Sequence, residues 1–143
     1  MNVNPYLNFP GTSEEAFEFY KSVFGGEFTS LVRFKDMPME GVDLPKEAEE
    51  KIMHIALPLG EDHLLMATDA IESMGQNLVQ GNNHYISVHP DSREEADRIF
   101  NGLSQGADVE MPMAEQVWGD YYGSLKDKFG IGWMVNHGAP QEG

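Results

Sequence analysis

The sequence predicts an α+β fold built from two βαβββ modules, because one order of strand, helix and strands occurs twice along the chain. Tyr6 and Tyr85 are 79 positions apart, and the Glu-Glu-Ala segments at 14–16 and 94–96 are 80 positions apart. Self-similarity at a fixed offset is typical of a repeated structural unit. One such unit cannot bury its apolar faces alone, so the two modules are expected to pair within a single domain, residues 1–143.

The first module is predicted at about residues 1–70 and the second at about residues 82–137. Each starts with a strand, at 3–9 and at 85–88, and continues into an amphipathic helix. The helical residues recur at i, i+3, i+4 spacing: Ala16, Phe19, Tyr20, Val23 and Phe24 in the first, and Ala96, Ile99, Phe100 and Leu103 in the second. Thr12 with Glu15, and Ser92 with Glu95, have capping-box spacing, which predicts where both helices begin.

Three further strands are predicted after each helix. In the first module they cover 28–34, 51–59 and 64–68; in the second they cover 108–113 and the two arms of a closing hairpin, 117–125 and 131–135. Val, Ile, Tyr and Trp favour the half-buried surface of a strand, and Asp127 and Gly130 are turn formers at hairpin spacing. Segments 35–50 and 70–82 are predicted to be surface loops. The aromatic hairpin indicates one wall of a curved sheet that encloses a ligand.

Composition excludes several classes of function. The chain has no cysteine, so it has neither disulfides nor thiolate metal sites. Its formal charge of −15 and its lack of a basic cluster argue against binding to nucleic acid or to an anionic membrane. No segment has the roughly 20 apolar residues that cross a bilayer, and the N-terminus does not read as a signal peptide. We therefore expect a cytoplasmic protein.

Several segments that follow one another along nearly the whole chain resemble a known family. They include NPYLNF at 4–9, FGGE at 24–27, HIAL at 54–57 and DKFGIGWMVN at 127–136. These segments are similar to the PhnB-like branch of the glyoxalase/bleomycin-resistance superfamily, which is also called the vicinal oxygen chelate superfamily. The resemblance implies that the paired βαβββ modules form a U-shaped, curved, eight-stranded mixed sheet around a cup, and that two copies form a homodimer.

The resemblance also implies where a metal would bind. Metalloenzymes of the superfamily take their ligands from the first and last strand of each module. In the first module of this chain those positions hold Pro5 or Tyr6, and His54. In the second module they hold Asn83 or His84, and Met134. Zinc and iron sites use three or more His, Asp, Glu or Cys donors, so His54 is the one good candidate ligand for a divalent metal, and the usual set of ligands is mostly absent.

His54 is the candidate catalytic residue. In residues 52–57, alternation places Met53, Ile55 and Leu57 on one face and His54 on the other. If the fuller face packs on a helix, His54 points into the cup, where an imidazole is well suited to move protons near neutral pH. The alternative is a core histidine whose ring nitrogens are satisfied by neighbouring groups.

Aromatic and methionine side chains are predicted to line the cup. The residues predicted to bind ligand are Asn83, Trp118, Tyr122, Met134 and Met66, and Tyr121, Trp133 and Met113 are further candidates. Alternatively, half of them fill interfaces between modules or subunits.

Three functions are compatible with these residues. The first is a PhnB-like protein that binds a small organic molecule, with its reaction unassigned. The second is a divalent-metal-dependent lyase, isomerase or dioxygenase. The third is a metal-free, drug-sequestering protein, in which an acidic, aromatic cup binds a cationic planar compound.

Overall fold

A βαβββ order of elements occurs in each half of the computed structural model, which describes residues 1–38 and 40–138. The first unit, Met1–Val79, contains β1 (Tyr6–Phe9), α1 (Ser13–Phe24), β2 (Ser30–Arg33), β3 (Ile52–Pro58) and β4 (Leu64–Asp69). The second unit, Gln80–Gly143, contains β5 (Ile86–Val88), α2 (Arg93–Leu103), β6 (Asp108–Glu115), β7 (Tyr121–Lys126) and β8 (Gly132–His137). The predicted α+β fold with duplicated βαβββ modules is confirmed. That the two units form a single domain stays a prediction.

The eight strands lie in two four-stranded mixed sheets with matching topology. The strand order is β1-β4-β3-β2 in the first unit and β5-β8-β7-β6 in the second. In each sheet the first strand of the unit pairs in parallel with the last, and the other neighbours pair antiparallel. None of the helices in the described ranges has the length and apolar character needed to cross a membrane.

One face of each sheet packs on the helix of its own unit. In the first sheet, the alternate residues Leu7, Phe9, Ile55, Leu57, Leu65 and Ala67 are buried. Phe9 meets Phe17 of α1 edge-on, with ring centroids 6.4 Å apart. In the second sheet, Leu125, Trp133 and Val135 are buried on the corresponding face. The opposite face of each sheet is called the helix-distal face below, and it carries the alternate residues of every strand.

A buried aspartate, rather than the predicted capping box, fixes the start of α1. Asp69 is 1% exposed, and its two carboxylate oxygens accept hydrogen bonds from Ser13 N at 2.9 Å and Ile52 N at 2.8 Å. Thr12 makes no side-chain cap, so the prediction of a first capping box was wrong. In the second unit, Ser92 Oγ does accept from Glu95 N at 3.1 Å, as the sequence predicted.

The closing hairpin turns where it was predicted to, but its first arm starts later. Asp127 is buried and accepts hydrogen bonds from the backbone N–H groups of Phe129 and Ile131 and from Trp133 Nε1. β7 begins at Tyr121 rather than Val117, because Gln116 N bonds Asp120 O at 2.8 Å and closes a turn before the strand. Trp118 therefore lies in a turn.

The two segments predicted to be loops contain short 3₁₀ helices, Lys46–Ala48 and Glu72–Met74. They also contribute to a small apolar cluster in which Phe34, Ala48 and Ile71 are buried. Ala48 and Ile71 are thus buried within segments that are otherwise mostly exposed over their described residues.

We predict that Asp69→Ala lowers the free energy of unfolding by about 2–4 kcal/mol, because it leaves the N–H groups of Ser13 and Ile52 without their acceptor in the interior. Urea denaturation followed by circular dichroism measures the change. Asp62→Ala, in the exposed β3–β4 turn, is the matched control and should change it by less than about 0.5 kcal/mol. Equal stability of the two variants would show that Asp69 is not an anchor.

Candidate functional site

A tyrosine and a histidine form the polar centre of the helix-distal face of the first sheet. Tyr6 of β1 and Ala56 of β3 both pair with Met66 of β4, and His54 lies two residues before Ala56, so these side chains share one face. The Tyr6 hydroxyl is hydrogen-bonded to His54 Nδ1 at 3.0 Å, with ring centroids 5.7 Å apart. The contact therefore spans the intervening strand β4.

The hydrogen bond with Tyr6 fixes the orientation of the imidazole ring, and its direction depends on the tautomer of that ring. Partial burial raises the pKa of the Tyr6 hydroxyl above its ordinary value of 10.0. If the phenol donates to Nδ1, the neutral imidazole carries its hydrogen on Nε2. Within the described part of the chain, Nε2 has no hydrogen-bond partner, and it is not a buried unpaired atom. His54 thus presents Nε2 at an accessible position.

The ligand-binding residues predicted in the second unit fall in three settings. Tyr122 and Met134 lie on the helix-distal face of the second sheet, because Tyr122 pairs with Asn136, which is two residues from Met134. Trp118 is 59% exposed in the turn before β7, and its ring meets that of Tyr122 edge-on at 6.1 Å between centroids. Asn83 is exposed before β5, with Oδ1 placed 3.3 Å from His84 Nδ1.

The three further candidates, Tyr121, Trp133 and Met113, lie on the other side of this sheet. Trp133 is fully buried, and its indole N–H donates to Asp127 at 2.8 Å. The Tyr121 hydroxyl donates to Asp97 of α2, and the carboxylate raises the pKa of that hydroxyl. The Met113 sulfur lies on the α2 side, against Gly123, where an added Cβ would come within 2.7 Å of it.

Sequence reasoning missed a hydrogen-bonded pair in the second unit, which consists of a tyrosine and a glutamate. The Tyr85 hydroxyl donates to both carboxylate oxygens of Glu110 of β6, at 2.7 and 2.8 Å. This contact raises the pKa of the Tyr85 hydroxyl. The Tyr85 ring lies on Gly132, where a Cβ would come within 2.8 Å of it. A glycine at the start of an aromatic strand was the one sequence signal of such a close approach.

The donors at the positions implied by the superfamily do not fit a divalent metal. Pro5 has no side-chain donor, Tyr6 uses its hydroxyl on His54, and Met134 offers only a soft thioether. His54 is then the single good donor among these positions, and zinc and iron sites use three or more. Across residues 1–38 and 40–138, no three His, Asp or Glu side chains are grouped so that they could hold a metal ion.

We predict that the neutral His54 ring is protonated on Nε2, because Tyr6 occupies Nδ1 as a donor. Two-bond ¹H–¹⁵N correlation spectra should show an unprotonated Nδ1 for His54. Tyr6→Phe should shift this nitrogen signal and leave the ring of His63, in the β3–β4 turn, unchanged. A ring protonated on Nδ1 in the wild-type protein would reverse the assigned donor and acceptor.

Known proteins resemble this chain over nearly its whole length. A family model described as 3-demethylubiquinone-9 3-methyltransferase matches residues 1–136. The crystal structure of protein PA1353 from Pseudomonas aeruginosa is 35% identical with a TM-score of 0.84, and the match covers 96% of this chain and 98% of that one. A PhnB protein from Bacillus cereus is 26% identical with a TM-score of 0.75, and the match covers 96% and 99%.

A glyoxalase/bleomycin resistance protein from Albidiferax ferrireducens T118 shares the fold, with a TM-score of 0.64 at 18% identity and coverage of 98% and 99%. The resemblance that the sequence segments indicated is confirmed. The chain belongs to the family whose model is described as 3-demethylubiquinone-9 3-methyltransferase.

Proposed function

We propose that this protein binds a small organic molecule and that the Tyr6–His54 pair is the polar centre of the site. The observation that carries the proposal is the 3.0 Å contact between the Tyr6 hydroxyl and His54 Nδ1, which leaves Nε2 open. A histidine with a purely structural role in a core normally has both ring nitrogens satisfied. Here one nitrogen is held by the protein and the other is available to a ligand.

The chemistry of this face selects a ligand with an oxygen acceptor and an apolar part. The Nε2–H group of His54 donates to a carbonyl or carboxylate oxygen. Met66, half-buried on the same face, offers an adaptable thioether surface to the apolar part. If negative charge develops on the bound oxygen, the Nε2–H group of His54 stabilises it by donating a hydrogen bond while Tyr6 holds Nδ1.

Methyl transfer fits these residues less well than binding and proton donation. The strand–helix connections at 10–12 and 90–92 contain one glycine between them, so neither is a Gly-rich loop of the kind that cradles a nucleotide-like cofactor.

The parts that Asn83, Trp118, Tyr122 and Met134 play in ligand binding stay predictions, as does the cytoplasmic location.

We predict that His54→Ala weakens binding of a small carbonyl ligand at least about tenfold while preserving the fold, because it removes the only donor assigned to the ligand oxygen. Saturation-transfer NMR against a panel of small carbonyl and carboxylate compounds identifies a ligand, and calorimetric titration then compares the variants. Tyr6→Phe should weaken binding less, since it frees the ring without removing it. His63→Ala is the matched control, and an unchanged affinity in His54→Ala would show that this histidine is structural.

We further propose that two copies form a homodimer through the β6 edge of the second sheet. Seven of the eight β6 residues are exposed, and Val109 and Met111 are each 41% exposed. Exposed apolar side chains on an open edge strand favour pairing with another chain.

Light scattering after gel filtration should therefore give twice the chain mass of 16.0 kDa. Met111→Glu should give the monomer, because it places charge on the proposed interface. Met37→Glu, which alters a methionine 54% exposed in the first unit, should leave the dimer intact. A monomeric wild-type protein at about 100 μM would remove this proposal.

A further inference from the structure

A concave site lies in the first unit, apart from the Tyr6–His54 pair. It is a cavity of about 550 Å³, and neither Tyr6, His54 nor Met66 lines it. Its walls come from residues 10–11 after β1, from Glu47 and Lys51 before β3, and from residues 70–73 after β4. A volume of this size is typical of pockets that hold small molecules.

Lys51 supplies a positively charged donor that the protein holds in place. Its Nζ donates to Gly11 O at 3.1 Å. The stem passes so close to Gly11 that a Cβ there would lie 3.3 Å from Nζ and 3.4 Å from Cε, and the φ of +89° also favours glycine. The carbonyl uses one of the three ammonium hydrogens. None of the ion pairs between described residues includes Lys51, so two charged donors are left for a ligand carboxylate.

Two carboxylates line the same cavity. Hydrogen bonds from its own backbone and from the Ser73 hydroxyl lower the pKa of Glu47 below its ordinary value of 4.5, which keeps it ionised. Glu72 lies beside Ser73 on the wall that follows β4. Neither glutamate is ion-paired with Lys51 in the part of the chain that the structure describes.

This set of charges discriminates between ligand classes. A simple carboxylic acid would satisfy Lys51 but would be repelled by two carboxylates. A simple amine would satisfy a glutamate but would leave the ammonium group of Lys51 without an acid partner. A zwitterion provides a carboxylate for Lys51 and an ammonium group for the glutamates.

The remaining walls are apolar and held by the backbone. Ile71 is buried in the cluster with Phe34 and Ala48, and Ala70 extends the apolar surface. Ala70 N bonds Phe9 O at 2.7 Å, and Ile71 N bonds Gln76 Oε1 at 2.7 Å, so the wall is formed before a ligand arrives. We propose that this cavity binds an amino acid with an apolar side chain, with its carboxylate on Lys51 and its ammonium group on Glu47 and Glu72.

Titration of the full chain with L-phenylalanine tests the proposal. Isothermal calorimetry should detect binding, and ¹H–¹⁵N spectra should show shifts at the amides of Gly11, Lys51 and Ala70. 3-Phenylpropanoate and phenethylamine, which each lack one of the two charges, should bind at least about tenfold more weakly. Lys51→Met keeps most of the stem and removes the charge, so it should weaken phenylalanine binding at least about tenfold. Lys46→Met, which removes the same charge from an exposed neighbouring residue, should not.

A double variant, Glu47→Gln with Glu72→Gln, provides an independent arm if Lys51→Met fails to fold. The double variant should bind phenylalanine more weakly than the wild-type protein does. Its affinities for phenylalanine and for 3-phenylpropanoate should be equal. Three results would overturn the proposal: no phenylalanine binding up to about 10 mM, equal binding of 3-phenylpropanoate to the wild-type protein, or unchanged binding in the charge-removing variants. Shifts centred on His54 would also overturn it. Because His54→Ala should leave phenylalanine binding intact, failure here is distinct from failure of the proposed carbonyl site.

Discussion

The buried carboxylate of Asp69 is the constraint on which the first unit depends. It is the last residue of β4, and it accepts from the first N–H of α1 and the first N–H of β3. A polar group in the interior is costly unless it is hydrogen-bonded, so the three elements must meet at this point. The second unit uses a different anchor, because Asp127 ties the β7–β8 turn to the buried indole of Trp133. The two units thus repeat a topology, and each has its own buried acid.

The sequence predicted what local periodicity encodes. Apolar spacing predicted the two helical stripes and most strands. It also predicted that His54 lies on the face of β3 opposite Ile55 and Leu57, which are buried together. Contacts between distant positions could not be predicted in this way. The side chain that accepts a hydrogen bond at the start of α1 is Asp69, 56 residues after Ser13, rather than Thr12. Tyr6 and His54, which are hydrogen-bonded, lie 48 residues apart along the chain. The sequence left the side of Trp133 open because both faces of β8 carry large side chains, and its indole N–H donates to the buried Asp127.

One hydrogen bond also decides what kind of chemistry His54 supports. A fold of this superfamily does not determine its function, because different chemistries can occupy the same framework. An imidazole held at Nδ1 by an acceptor would offer the Nε2 lone pair to a metal or a proton. A hydroxyl that donates to Nδ1 leaves an N–H group at Nε2 instead. The direction of the Tyr6–His54 hydrogen bond thus decides which of the two His54 supports.

The same anchor positions both sites in the first unit. Asp69 Oδ2 holds Ile52 N, so the residue before Ile52 and the residue after Asp69 are brought together at one end of the sheet. Those residues are Lys51 and Ala70, which both line the cavity. His54 lies two residues after Ile52 within β3, on the helix-distal face. Because the cavity residues lie at the strand ends and His54 lies within the strand, substitutions at Lys51 or His54 can alter one site without moving the other, whereas loss of Asp69 disturbs both.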